Sequence, residues 1–144
     1  MHRIKQMPGI SNPIFLALIL ISGSATAQGS LPACTGKNSS NWSGCTGTLA
    51  NGNTILYSGE FLNGKKHGYG EEIIPDANGS DRYVGQFREG RRHGRGVYYF
   101  ANGGKYDGEI VRDQFAGDGS FESPNGDRYV GQFRNGQFAG EGIY

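Results

Sequence analysis

Apolar and polar positions alternate along the second half of the chain, in short runs. Tyr83, Gly85 and Phe87 are interleaved with Val84, Gln86 and Arg88. A period of two places the first three on one face of a strand and the other three on the opposite face. Gly94, Gly96 and Tyr98 repeat the pattern in a second run. The runs are bounded by Asn63-Gly64, Asn102-Gly103, Asn125-Gly126 and Asn135-Gly136, dipeptides that favour tight hairpin turns. No stretch beyond residue 27 carries a helical period. The pattern predicts an all-β chain of hairpins.

The hairpins repeat. Tyr57, Tyr83, Tyr106 and Tyr129 open successive units, with Gly59, Gly85, Gly108 and Gly131 two residues later. Phe61, Phe87, Ile110 and Phe133 follow two residues after that. A turn glycine comes next at Gly64, Gly90 and Gly136, with Asp113 in its place in the third unit. Each unit then carries a glycine pair: Gly68/Gly70, Gly94/Gly96, Gly117/Gly119 and Gly140/Gly142. Phe121 and Tyr144 stand where the second unit has Tyr98, whereas the first unit has Glu72. A lone hairpin is marginal in water. Hairpins added edge to edge share ladder hydrogen bonds and continue one aromatic face. Glycine weakens a strand, so its recurrence in pairs needs a compensation. The predicted one is space, a gap in which a Tyr or Phe ring lies against the backbone.

The pattern Y-x-G-x-F-x-x-G-x-x-x-G-x-G, as in "YVGQFREGRRHGRG" from Tyr83 to Gly96, resembles the MORN repeat (membrane occupation and recognition nexus). The resemblance covers residues 42–144. It divides into a degenerate half repeat at 42–56 and repeats at 57–82, 83–105, 106–128 and 129–144. In the half repeat, Gly47 lies ten residues before Tyr57, as Gly96 lies before Tyr106, and Cys45 replaces the first glycine of the pair. The resemblance implies an elongated, twisted, single-layer antiparallel sheet of consecutive hairpins. It also implies membrane association, scaffolding and protein contact, without catalysis by the repeats. The third and fourth units depart from it at Phe115-Ala116 and Phe138-Ala139, where a basic residue and His are common.

Composition sharpens the picture of the core. Hydrophobic residues make up 35% of the chain, and 26 of 144 residues are glycine. Both depart from globular averages, so burial must come from aromatic rings packed over glycine. The first 27 residues read as a cleaved signal peptide. Arg3 and Lys5 precede the apolar run 14–21, and Ala25-Thr26-Ala27 matches a cleavage site. The run is too short to span a bilayer. The chain is therefore expected to be exported, to the periplasm or beyond, or to sit peripherally on a membrane. Without residues 1–27 the net charge is close to −1, which argues against nucleic acid as a partner. In an oxidising compartment Cys34 and Cys45 predict one disulfide. It would close a loop in the N-terminal segment (28–41, running on into the half repeat) and cap the array.

Catalytic motifs are missing. The chain has no G-x-S-x-G and no G-x-x-x-x-G-K-[ST]. His67 and His93 share a repeat position, but two ligands do not make a metal site. No cofactor is expected. Two candidate surfaces remain. The aromatic face comprises Tyr57, Phe61, Tyr83, Phe87, Tyr98, Tyr106, Phe121, Tyr129 and Phe133. The basic hairpin tips comprise Lys65, Lys66, His67, Arg91, Arg92 and His93. The leading expectation is a non-catalytic binding or scaffold module of the cell envelope. It would contact a protein partner or itself through the aromatic face or the open sheet edges. The alternative is attachment to anionic phospholipid headgroups or an envelope polymer through the basic tips.

Overall fold

In the computed structural model, residues 30–77 and 79–144 are described. The predicted signal peptide lies outside the described residues. The described residues form nine antiparallel strands in one sheet, arranged in chain order. They are β1 (Cys45–Asn51), β2 (Thr54–Leu62), β3 (Lys65–Asp76), β4 (Gly79–Arg88), β5 (Arg91–Tyr99), β6 (Lys105–Val111), β7 (Gln114–Glu122), β8 (Arg128–Arg134) and β9 (Gln137–Ile143). A single 3-10 turn at Ser39–Asn41 precedes them. The expected all-β architecture of consecutive hairpins is present, with every strand pairing to its sequence neighbours.

The core lies on one face of the sheet and is built from rings. Tyr57, Tyr83 and Tyr106 are fully buried, and Phe61, Phe87, Ile110, Tyr129 and Phe133 are nearly so. Each opening tyrosine folds back along its own strand. Its hydroxyl donates to the carbonyl three residues on: Tyr57 to Glu60 at 2.9 Å, Tyr83 to Gln86 at 2.9 Å and Tyr106 to Glu109 at 2.7 Å. The ring then lies flat over two glycines that face each other across the ladder, Gly59 with Gly70 and Gly108 with Gly119. A methyl group on Gly70 would sit 2.6 Å from the Tyr57 Oη, and one on Gly119 2.8 Å from the Tyr106 Oη. The second glycine of each pair is the predicted gap.

The first glycine of each pair has a different cause. Gly68, Gly94, Gly117 and Gly140 have φ of 56°, 81°, 55° and 60°. The ladders slip in register beside them, at Gly59/Glu60, Gly85/Phe87, Gly108/Glu109 and Gly131/Gln132. These are β-bulges, which require the left-handed backbone that glycine adopts without strain. A side chain on the facing strand closes the bulge. The Glu60 Oε1 accepts from the Tyr69 amide at 3.0 Å, and the Gln86 Oε1 from the Arg95 amide at 3.0 Å.

The turn inside each repeat docks on the preceding unit. The Gly64 amide donates to the Trp42 carbonyl, Gly90 to Lys66, Asp113 to Arg92 and Gly136 to Phe115. The turns are thereby held in a row along one margin of the sheet. At the N-terminal end the Cys34–Cys45 disulfide is formed. Backbone bonds from the Cys34 amide to the Thr46 carbonyl and from the Thr46 amide to the Pro32 carbonyl lay this segment along β1. Trp42 packs edge-on against Phe61, with ring centroids 4.9 Å apart. The N-terminal segment thus covers part of a strand edge that would otherwise be open to pairing.

Candidate functional site

Strand alternation divides the basic tips that the sequence groups together. Lys66 pairs across the ladder with Phe61, and Arg92 with Phe87. Both therefore point to the ring face. Lys65 and Arg91 pair with Leu62 and Arg88 on the opposite, polar face. His67 stands opposite Glu60, and His93 lines a cavity with Arg88. The six residues do not form one continuous anion site, because adjacent residues of a strand face opposite ways.

Lys66 and Arg92 are committed to contacts within the protein. The Lys66 ammonium is paired with Glu72 and lies 5.1 Å from the centre of the Tyr57 ring. The Arg92 Nε is 3.1 Å from Asp113 Oδ1 and 3.9 Å from Glu72 Oε2, and its guanidinium lies over Tyr98 at 5.3 Å. Burial works against the charge of Arg92, but the hydrogen bond and attraction of Asp113, helped by Glu72, outweigh it and hold the guanidinium above its usual pKa. Glu72 is the departure from the repeat pattern, and it is the counter-ion of both cations.

In the later units the same position carries an apolar ring. Phe115 stacks on Tyr106 at 3.9 Å with an 18° tilt, and Phe138 lies 4.2 Å from Tyr129. The rings of the opening tyrosines and their partners are closed to solvent, so Tyr57, Phe61, Tyr83, Phe87, Tyr106, Tyr129 and Phe133 do not form an open groove. What remains accessible is a strip of second-arm rings. Tyr98 touches Phe100 at 4.7 Å, Phe100 neighbours Phe121 at 5.9 Å, Phe121 neighbours Phe138 at 5.9 Å, and Phe138 neighbours Tyr144 at 5.7 Å. Phe138 is 45% and Tyr144 81% exposed, while Tyr98 and Phe121 are half-buried. The strip ends at a cavity of about 210 Å³ lined by Phe121, Tyr129, Phe138 and Tyr144 with three polar residues. Of this strip the sequence reading assigned only Tyr98 and Phe121 to the aromatic face. The signal for Phe115 and Phe138 was present, since they stand in register with Lys66 and Arg92.

The hydroxyls of Tyr57, Tyr83, Tyr98 and Tyr106 are held protonated. Burial pushes Tyr83 and Tyr106 up to about 12. Tyr98 also reaches about 12, through burial and then its hydrogen bond to Asp81 at 2.6 Å. Burial, reinforced by Glu60 and Glu72, raises Tyr57 further. These hydroxyls serve as donors to fixed acceptors and fasten the framework. Among the described residues no group of three or more His, Cys, Asp or Glu gathers as a metal site. No helix among them is long and apolar enough to cross a membrane.

A family model described as "MORN repeat" matches residues 57–78, 83–105, 106–128 and 129–144. No curated protein matches the chain. The four matched segments begin at the four opening tyrosines, so the repeat unit of the comparison and the ring clamp of the structure coincide.

Proposed function

The chain belongs to the MORN-repeat family, and from that premise we propose that it acts as a non-catalytic binding module that takes a protein partner on the ring strip running from its second unit to its last. MORN repeats are generally binding and scaffold modules. The observation that carries this reading is the run from Tyr98 through Phe100 and Phe121 to Phe138 and Tyr144, which is partly exposed. Contiguous exposed apolar surface of this kind marks interaction sites. Aromatic rings anchor protein interfaces because they bury much area with little side-chain entropy to lose. The occupant is a protein surface carrying apolar side chains, and a second copy of this chain is the first to test.

The place of action is part of the same reading. The signal-like first 27 residues and the Cys34–Cys45 disulfide fit an exported protein of the envelope, since such bonds persist in oxidising compartments. Recovery from the envelope fraction of a chain that starts at Gln28 supports export; recovery with residues 1–27 intact and both thiols free argues against it. The alternative, attachment to anionic phospholipid or envelope polymer through the hairpin tips, loses two of its four strongest cations, because Lys66 and Arg92 are engaged on the ring face.

The test compares the wild-type chain with Phe138→Asp. Sedimentation over a range of concentrations should show association that the variant lacks. Failing that, crosslinking in envelope extract should yield a protein adduct mapping to Phe121, Phe138 or Tyr144 that the variant loses. A monomer whose adducts are the same in both chains overturns the reading.

A further inference from the structure

The polar face carries a basic cluster that the ring strip does not use. A cavity of about 500 Å³ is lined by Arg88, Glu89, Arg91, His93 and Arg112. A second, of about 420 Å³, shares Arg88 and His93 with it and extends to His67. The two form one cleft across β3, β4 and β5 beside the row of turns. Three guanidinium groups face a single carboxylate there, before any imidazole is protonated. Arg88, Arg91 and Arg112 are exposed and have no carboxylate within 4.0 Å among the described residues. The carboxylate of the adjacent Asp113 is spent on the Arg92 amide at 3.0 Å and the Arg92 Nε at 3.1 Å.

The turns that frame the cleft also depart from their own local preference. The first turn residue is Asn63 in the first unit and Asn135 in the fourth, with φ of 50° and 52°. Asn tolerates this left-handed backbone better than other side-bearing residues. In the two central turns the same position holds Glu89 at 52° and Arg112 at 50°. Long charged side chains are thus kept at strained positions in the two turns that line the cavity, and strain of this kind gathers at functional sites. Both turns are pinned to the preceding unit, through the Gly90 amide to the Lys66 carbonyl and the Asp113 amide to the Arg92 carbonyl. The guanidinium groups therefore rise from a fixed base.

We propose that this cleft binds a phosphate-type oxyanion with two or more linked anionic groups, held by Arg88, Arg91 and Arg112 with His93 as a further donor. Guanidinium forks match such oxygens in charge and geometry. Equivalent turns of consecutive units are two strand spacings apart, roughly 10 Å. A single phosphate reaches one turn, whereas a pyrophosphate or triphosphate group bridges both. Glu89 at the rim repels the ligand and limits its affinity. The site lies on the opposite face from the ring strip and stands or falls independently of it.

Calorimetric titration of the purified chain at low salt with pyrophosphate and tripolyphosphate tests the proposal. Saturable binding is expected, tighter for tripolyphosphate than for inorganic phosphate. Arg88→Ala combined with Arg112→Ala should weaken it by about tenfold or more, since charge-assisted hydrogen bonds are lost. The charge-matched pair Arg128→Ala with Arg134→Ala, outside the cleft, should leave it unchanged. Glu89→Gln should tighten binding a few-fold, an outcome that misfolding cannot imitate. To distinguish free from headgroup phosphate, phosphatidylcholine vesicles doped with phosphatidic acid are added. Vesicle binding that tripolyphosphate displaces assigns the headgroup to the same cleft, and titration without vesicle binding assigns a soluble ligand. The absence of saturable titration, equal weakening by both double variants, or vesicle binding that tripolyphosphate leaves untouched overturns the proposal.

Discussion

The first two units and the last two share one framework and fill it differently. In every unit the opening tyrosine lies over a glycine pair. One position beside that ring is Lys66 and Arg92 in the early units, and Phe115 and Phe138 in the later ones. Its companion six residues on is Glu72 and then Tyr98, against Phe121 and Tyr144. The early half closes over its rings with ion pairs and cation–π contacts. The later half closes with stacked rings. A charged cover holds the surface in water and leaves little for an apolar partner. An aromatic cover buries the framework equally well but leaves rings at the surface. The repeat thus separates stability, which resides in the clamp, from recognition, which resides in the cover.

The largest expected effect strikes both halves together. Tyr83 and Tyr106, one in each half, titrate at about 12 in the folded chain against 10 in the unfolded one. A raised folded pKa means the folded state holds its protons longer, so the stabilisation is fully present below pH 10. It is lost as pH climbs from 10 through 12. Tyr57 and Tyr98 move the same way. Denaturant melts at pH 8, 10 and 11.5 should show a progressive loss of several kcal/mol, and a flat profile would contradict the shared clamp. Single truncations come next. Tyr83→Ala and Tyr106→Ala should each cost about 3–5 kcal/mol in urea unfolding, the usual range for a buried aromatic ring. A clearly smaller loss in one half would show that its cover, and not its clamp, carries the stability.

The smallest effect sharpens the comparison most. Glu72→Gln leaves Lys66 and Arg92 short of a counter-ion in a half-buried site. With solvent screening it should cost about 1 kcal/mol, and high salt should reduce the loss. Replacing the pair outright, Lys66→Phe with Glu72→Phe, copies the later cover onto the first unit. Apolar replacement of a buried ion pair is often neutral or stabilising, so the thermal midpoint should hold or rise while the first unit gains an aromatic surface. A drop of more than about 2 kcal/mol, on the scale of broken packing, would mean that the early clamp depends on its ions.

Much of the fold was legible because its causes are local and repeated. Alternation gave the strands, the Asn-Gly dipeptides gave the turns, and four copies in register averaged out the ambiguity of any one. The glycine pairs were read as gaps for rings, and for Gly70, Gly96, Gly119 and Gly142 that is the cause. For Gly68, Gly94, Gly117 and Gly140 the cause is the bulge, which depends on pairing across the ladder and leaves no mark in the strand's own sequence. The candidate surfaces were legible only in outline. Lys65-Lys66-His67 looks like one basic cluster along the chain, yet a strand sends its middle member to the opposite face. Arg88 and Arg112, in contrast, belong to different units and come together at one cleft.

The sequence by itself determined the repeat, the hairpins, the sequential sheet and a core of tyrosine over glycine, because each follows from a period of two and from residues close in the chain. Tertiary structure decided which rings are sealed and which are left exposed, which cations are spent on Glu72 and Asp113, and which remain free beside the central turns. Burial and charge pairing are set by whichever side chains meet on the folded face: Glu72 reaches Lys66 along the same strand, whereas Arg92 finds Glu72 and Asp113 across neighbouring strands, far from it in sequence.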